Sequence, residues 1–188
     1  MSIVLIPKSH PPIVLRSADS TDCSSLAALA IEVWISTYIR EGINADFADY
    51  ALAEFTADRF AGILRDPTEL LLVSENRCGI DGFVRVRSGQ ASPVGGPSDT
   101  EIATLYVQPR HQGKGIGHSL LRAALDQCQH RGWPHPWLAV NSENLGAIAF
   151  YRRNGFTLAG QTHFQIRDSK YLNEVLQFSG MPSGGDIT

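Results

Sequence analysis

The sequence predicts an α/β (α+β) domain in which helices sandwich one mixed sheet, and three observations predict it. Strand-like and helix-like runs follow one another in the order ββ…β-α-β-α-β-β, with no repeat and no linker to divide them. An apolar run at 102–107 passes through a glycine-rich turn at 112–117 into a segment of helical spacing at 119–125. Hydrophobic residues fill 43% of 188 positions, which suits a single core at roughly 100–200 residues per domain.

Residues 1–12, ending in Ser9-His10-Pro11-Pro12, read as an extended arm, and the domain is expected over 13–178. Ile13-Val14-Leu15-Arg16 forms the first strand, and Asp19, Ser20, Thr21 and Asp22 then offer helix N-caps. Leu26, Leu29, Ala30, Val33, Trp34, Thr37 and Tyr38 recur at helical spacing. A second helix is expected from Phe47 to Leu64, with Leu52, Phe55, Phe60 and Ile63 inward and Pro67 beyond its end. Residues 69–74 read as a buried strand and 75–79 as its turn. Residues 80–87 form a strand bent at Gly82. The Gly-, Ser- and Pro-rich stretch 88–99 is expected to be a surface loop. The strand–turn–helix unit follows and closes near Arg131-Gly132. A strand at 137–140, a helix at 145–153, strands at 156–165 and 171–178, and a loose tail at 179–188 complete the chain.

Composition removes several function classes. A net charge of −3 with no dense Lys/Arg block argues against a nucleic-acid binder. Cys23, Cys78 and Cys128 are odd in number, widely spaced and without C-x-x-C, which favours reduced thiols and a cytoplasmic location. No apolar run approaches the roughly 20 residues that cross a bilayer. The six histidines form no H-x-x-x-H or Cys/His cluster, so no metal is expected. No Ser, His and Asp set stands in a nucleophile turn such as G-x-S-x-G.

The turn Gln112-Gly113-Lys114-Gly115-Ile116-Gly117 carries the most chemistry. Glycines let the backbone bend sharply, and the first N–H groups of the following helix have no internal partner and lie at its positive end. Phosphates bind such places. Two common phosphate turns fail on spacing. In G-x-G-x-x-G the sixth position from Gly113 is His118, and from Gly115 it is Leu120. Lys114 lacks the frame of a nucleotide P-loop.

The turn instead resembles the pyrophosphate loop, Gln/Arg-x-x-Gly-x-Gly/Ala, of the Gcn5-related N-acetyltransferases (GNAT). Leu105-Tyr106-Val107-Gln108-Pro109 is similar to that family's strand exit. Residues 144–156, from Asn144 through Phe150-Tyr151 to Gly155-Phe156, resemble its N-x-x-A-x-x-F-Y-x-x-x-G-F signature. Two motifs in the right order about 30 residues apart are far more specific than one glycine turn. The resemblance is strong over 101–156 and weak before Glu69.

It implies the GNAT fold, a mixed, largely antiparallel twisted sheet of six to seven strands with about four helices. It also implies an enzyme that moves the acetyl group of acetyl-CoA to an amine by direct attack. Backbone N–H groups around Gly113, Gly115, Gly117 and His118, with Gln112, Lys114 and Ile116, would hold the CoA pyrophosphate. Leu105, Tyr106 and Val107 would line the pantetheine arm, and the Val107 N–H would meet the thioester oxygen. Asn144 and Ala147 would contact the same arm, although Asn144 also reads as a helix N-cap. Tyr151 is the candidate general acid for the departing sulfur, since a phenol stays protonated at neutral pH. Glu101 is the candidate base, with a solvated strand-start residue as the alternative.

The acceptor side is read more loosely. Trp34 and Tyr38, spaced i, i+4, are candidate walls of its channel, against a core reading of the same pair. Asp46, Asp49, Glu54 and Asp58 give that region an acidic cast suited to a cationic amine, against a solvated helix face. Trp34, Thr37, Tyr38, Phe164 and 171–178 are similar to spermidine/spermine-type members. The expected acceptor is therefore a small primary amine such as a polyamine. A protein N-terminal or lysine amine, and a non-catalytic acyl-CoA-binding module, remain the alternatives. Family members often dimerise, so the resemblance allows a homodimer.

Overall fold

The computed structural model of the chain describes residues 12–38, 42–133, 135–167 and 169–180. The expected arm before Pro12, the tail beyond Gly180 and the Tyr38 side chain lie outside the described residues. The elements are β1 (Val14–Ser17), α1 (Cys23–Tyr38), α2 (Ala45–Glu54), α3 (Ala57–Arg65), β2 (Glu69–Asn76), β3 (Gly79–Arg87), β4 (Glu101–Val107), α4 (Ile116–His130), β5 (Trp137–Asn141), α5 (Leu145–Arg153), β6 (Phe156–Ile166) and β7 (Ser169–Phe178). They build one seven-stranded sheet in the order β1-β2-β3-β4-β5-β7-β6. Every neighbour pair is antiparallel except β4–β5, which is parallel.

The unbroken apolar run of β2 follows from its position inside a sheet covered on both faces. Leu70 and Leu72 enter one core with Val84, Val86, Ile102 and the α4 residues Leu120, Leu121 and Ala124. Leu71 and Val73, one residue out of phase, enter a second core with Phe83, Phe60 and the α1 residues Leu26, Leu29, Ala30 and Val33. Helix α1 therefore lies on one face and α4 on the other. An Asp19/Asp22 capping box at the short 3₁₀ turn 20–22 leads into α1. Arg16 ties that turn to the sheet: its guanidinium donates to both Asp22 oxygens at 2.7 and 2.9 Å and to Glu75 at 2.7 Å. The Asp22 carboxyl is buried and held below the usual carboxylate range by this guanidinium.

The helix expected over 47–64 is two helices. Phe55 leaves helical geometry at φ −103, ψ 80, and Thr56 turns extended, its hydroxyl accepting the Arg59 N–H at 3.2 Å. Thr56 is thus an N-cap inside a pattern that apolar spacing alone runs together. With the helix broken, the phase changes, and Leu52, expected inward, is 66% exposed. The described residues accordingly hold five α-helices rather than about four. The loop 88–99 is largely exposed, as expected of a surface loop, and it also covers part of the fold. Ser92 and Ser98 are buried, Val94 packs where a Cβ on Gly160 would sit 2.8 Å away, and the Trp137 indole N–H donates to the Gln90 carbonyl at 2.8 Å. Its Gly and Pro content reported a turn-rich path correctly but not what the path covers.

Candidate active site

The sheet opens at its one parallel pair. Among the described residues β4 and β5 share a single register pair, Glu101 with Trp137, where the Trp137 N–H donates to the Thr100 carbonyl at 2.8 Å. Beyond it the β3–β4 register slips between Arg85 and Val86, leaving Ala103 as an extra residue on β4. A bulge bends and twists its strand, so β4 turns away from β5 over Thr104–Val107. The Gln108 N–H donates to the Asp81 carbonyl at 2.9 Å, which sets the alternation of the antiparallel ladder. Residues 104 and 106 therefore bond toward β3, while the N–H and C=O of Leu105 and Val107 face the open side. The Val107 carbonyl receives the Gln112 side-chain amide at 3.2 Å.

Past Val107 the chain makes a short 3₁₀ turn, Pro109–His111, and enters the glycine turn. Gly113 and Gly115 stand at φ +74 and +86, a region L side chains rarely adopt. A Cβ at Gly113 would meet nothing within 4 Å, and one at Gly115 only Ile13 Cδ1 at 3.7 Å. Among the described residues no side chain therefore occupies the space beside Gly113, and Ile13 alone approaches Gly115. Gly115 is the N-cap of α4 and supplies no side-chain cap, and the first helical bond runs from the Ser119 N–H to the Gly115 carbonyl at 3.0 Å. The amides of Ile116, Gly117 and His118 precede it and carry the positive end of a 15-residue helix. Ile116 itself is buried in the core, and Lys114 is exposed.

The second motif meets the first in space. A Cβ on Gly117 would lie 3.8 Å from Phe150, so the α5 ring packs directly over the start of α4. His118 Nδ1 and Asn154 Oδ1 are 2.8 Å apart, and Asn154 donates to the Phe150 carbonyl at 2.8 Å. Asn154 is 6% exposed, a buried polar side chain whose partners join the two helices. Sequence reasoning missed it, because an Asn ending a helix reads as a cap; its one signal was its place inside the second motif. Asn144 caps α5, its side chain accepting the Ala147 N–H at 3.1 Å. Tyr151 is 9% exposed, its ring against Phe150 at 5.3 Å and Phe156 at 5.7 Å between centroids. It does not point out to solvent. Glu101 is also 9% exposed, and its carboxylate accepts the Arg87 Nε–H.

The acceptor side is arranged differently from the expected channel wall. Trp34 is 3% exposed and belongs to a core with Ala51 and Ile166, stacked on Tyr50 at 5.3 Å. Its ring supports α2 from below. Tyr106 stands half-buried on the same face, 6.5 Å from the Phe55 ring. Asp46 and Asp49 are both paired with Arg167 of the β6–β7 turn, and Glu54 with Arg59 at 3.0 Å. Two arginines thereby offset two of the four negative charges.

An open parallel pair, an uncapped glycine-led helix start beside it and a buried tyrosine on the adjoining helix stand together at this end of the sheet. A family model for the acetyltransferase (GNAT) family matches residues 31–156. Streptothricin acetyltransferase of Streptomyces lavendulae is 48% identical over 81 residues, 43% of this chain and 43% of its own. The L-amino acid N-acyltransferase MnaT of Escherichia coli is 26% identical over 147 residues, 78% of this chain and 81% of its own. The crystal structure of the PaiA N-acetyltransferase from Thermoplasma acidophilum in complex with coenzyme A superposes with a TM-score of 0.70 at 21% identity, covering 87% of this chain and 98% of that one. The chain belongs to the GNAT family of acetyl-CoA-dependent N-acetyltransferases.

Proposed function

We propose that this enzyme acetylates a primary amine on a small molecule, the amine attacking the acetyl carbonyl directly. One observation carries the reading: the His118–Asn154 bond and the Phe150–Gly117 contact bring the helix bearing Tyr151 against the glycine turn, beside the free edge of β4. When bound, acetyl-CoA supplies an acyl carbon activated as a thioester. The amides of 113–118 hold its diphosphate, with Gln112 and Lys114 at the rim. The open-side groups of Leu105 and Val107 align the arm as an added strand, with Tyr106, Asn144 and Ala147 around it. The Val107 N–H points to where negative charge gathers on the carbonyl oxygen.

An alkylammonium has no lone pair, so the acceptor must shed a proton before it attacks. Glu101, oriented by Arg87, takes that proton through a water in this reading. Tyr151 gives its phenol proton to the departing sulfur and is restored by the second proton that the nitrogen sheds on becoming an amide. Tyr151→Phe is expected to lower kcat by about 100-fold while CoA affinity changes by less than about twofold, as measured by thiol release and titration calorimetry. Equal losses in kcat and affinity would make Tyr151 a packing residue.

Arg167 offsets one of the two charges of Asp46 and Asp49, which makes the region less suited to a polycation than free acids would be and favours an acceptor of lower net charge than a polyamine. L-amino acids, the acceptors in one relative's name, support the same class. Screening amino acids, aminated antibiotics, diamines and peptides for thiol release tests it. Turnover with amino acids or antibiotics is expected; turnover with peptides alone would contradict it.

A further inference from the structure

We infer that Asp81 is a positioning residue for the donor turn, acting through Gln108 and His111; the inference rests on the donor reading above. The segment 108–111 leads from β4 into the turn and is held from two sides. From α1, Glu32 accepts the Gln108 side-chain amide and the Arg110 guanidinium, each at 2.7 Å. Arg110 is 64% exposed, and exposed pairs contribute little. From β3, the Asp81 carbonyl accepts the Gln108 N–H at 2.9 Å, and its carboxylate stands 3.4 Å from His111 Nδ1. Asp81 is 5% exposed, and its Oδ2 also accepts the Asn76 amide at 3.0 Å. The buried hold is therefore the stronger one.

Among the described residues three buried side-chain polar atoms lack a hydrogen-bond partner, and two of them are Asp81 Oδ1 and His111 Nδ1. Buried groups left unpaired are costly, and these two sit on side chains already facing each other. A small movement of His111 would bring its Nδ1 within bonding distance of the Asp81 carboxylate, whose Oδ2 already stands 3.4 Å away. A cavity of 1140 Å³, lined in part by Asp81, His111, Lys114 and Ile116, gives the ring room to move. His111 immediately precedes Gln112, which reaches back to the Val107 carbonyl, so the ring's position sets the start of the glycine turn. The Asp81–His111 bond and the turn's grip on a diphosphate then support one another.

Asp81→Asn keeps the volume and removes the charge. It is expected to weaken CoA binding about tenfold by titration calorimetry and to raise KM for acetyl-CoA alike. The kcat at saturating donor and KM for the amine should stay within about twofold, a split that a merely structural acid does not produce. His111→Gln should give a similar loss, and the double variant should be no worse than either single one, because the two act as one unit. Unchanged CoA affinity in Asp81→Asn, or losses that multiply in the double variant, would overturn the inference. Should Asp81→Asn fail to fold, His111→Gln decides by itself: wild-type CoA affinity there overturns it. Failure of the wild-type chain to bind CoA would instead overturn the donor reading on which all of this rests.

Discussion

Replacing Gly115 with aspartate is expected to weaken CoA binding by about 100-fold or more while the fold persists. Two effects act together. Gly115 stands at φ +86, where an L residue costs roughly 1–2 kcal/mol. The new carboxylate would also sit at the N-terminus of α4, where the diphosphate is proposed to bind, setting like charges side by side. Sterics contribute little, since the nearest atom to a Cβ there is Ile13 Cδ1 at 3.7 Å. The thermal midpoint should fall by a few degrees only, as the turn lies outside both main cores. Titration calorimetry with CoA beside a thermal melt separates the two readouts. Unchanged affinity would put the donor elsewhere.

The second large effect is expected at Gly82, which no turn or positive φ demands. A Cβ there would lie 3.0 Å from the Tyr106 carbonyl oxygen, 3.1 Å from Leu120 and 3.2 Å from Ile116. Helix α4 rests directly on this bare stretch of β3. An alanine gains roughly 0.4–1 kcal/mol by restricting the unfolded chain, but overpacking a closed core costs about 1–3 kcal/mol. The cost wins, because one neighbour is backbone and the others sit on the first turns of a packed helix. Gly82→Ala should therefore lower the thermal midpoint by about 2–8 °C. It should weaken CoA binding as well, because Ile116 opens α4 beside the glycine turn. Full stability with lost affinity would contradict the packing argument.

Much of this site was legible in the residues because its parts are backbone devices. Glycines at 113, 115 and 117 and an apolar run before them can be read without coordinates, since strand, turn and helix start follow from local spacing. The meeting of the two motifs was only implied: Phe150 over Gly117, and Asn154 bonded to His118, are contacts across 33 and 36 positions that no local pattern records. The bulge at Ala103 was hidden for a similar reason. Register belongs to a pair of strands, and β4 alone reads as continuous. Helix α2 was fused with α3 because Thr56 caps through its hydroxyl without breaking the apolar spacing. On the acceptor side, acids on an exposed face looked free until Arg167 appeared opposite Asp46 and Asp49. A partner 118 positions away cannot be read from a helix's own sequence.

A crystal structure of the full chain soaked with CoA is the most direct test of the central claim. Diphosphate oxygens are expected at about 3 Å from the amides of residues 113–118, with the sulfur within about 4 Å of the Tyr151 hydroxyl. Donor density seated away from α4, or a sulfur facing any residue but Tyr151, would contradict it.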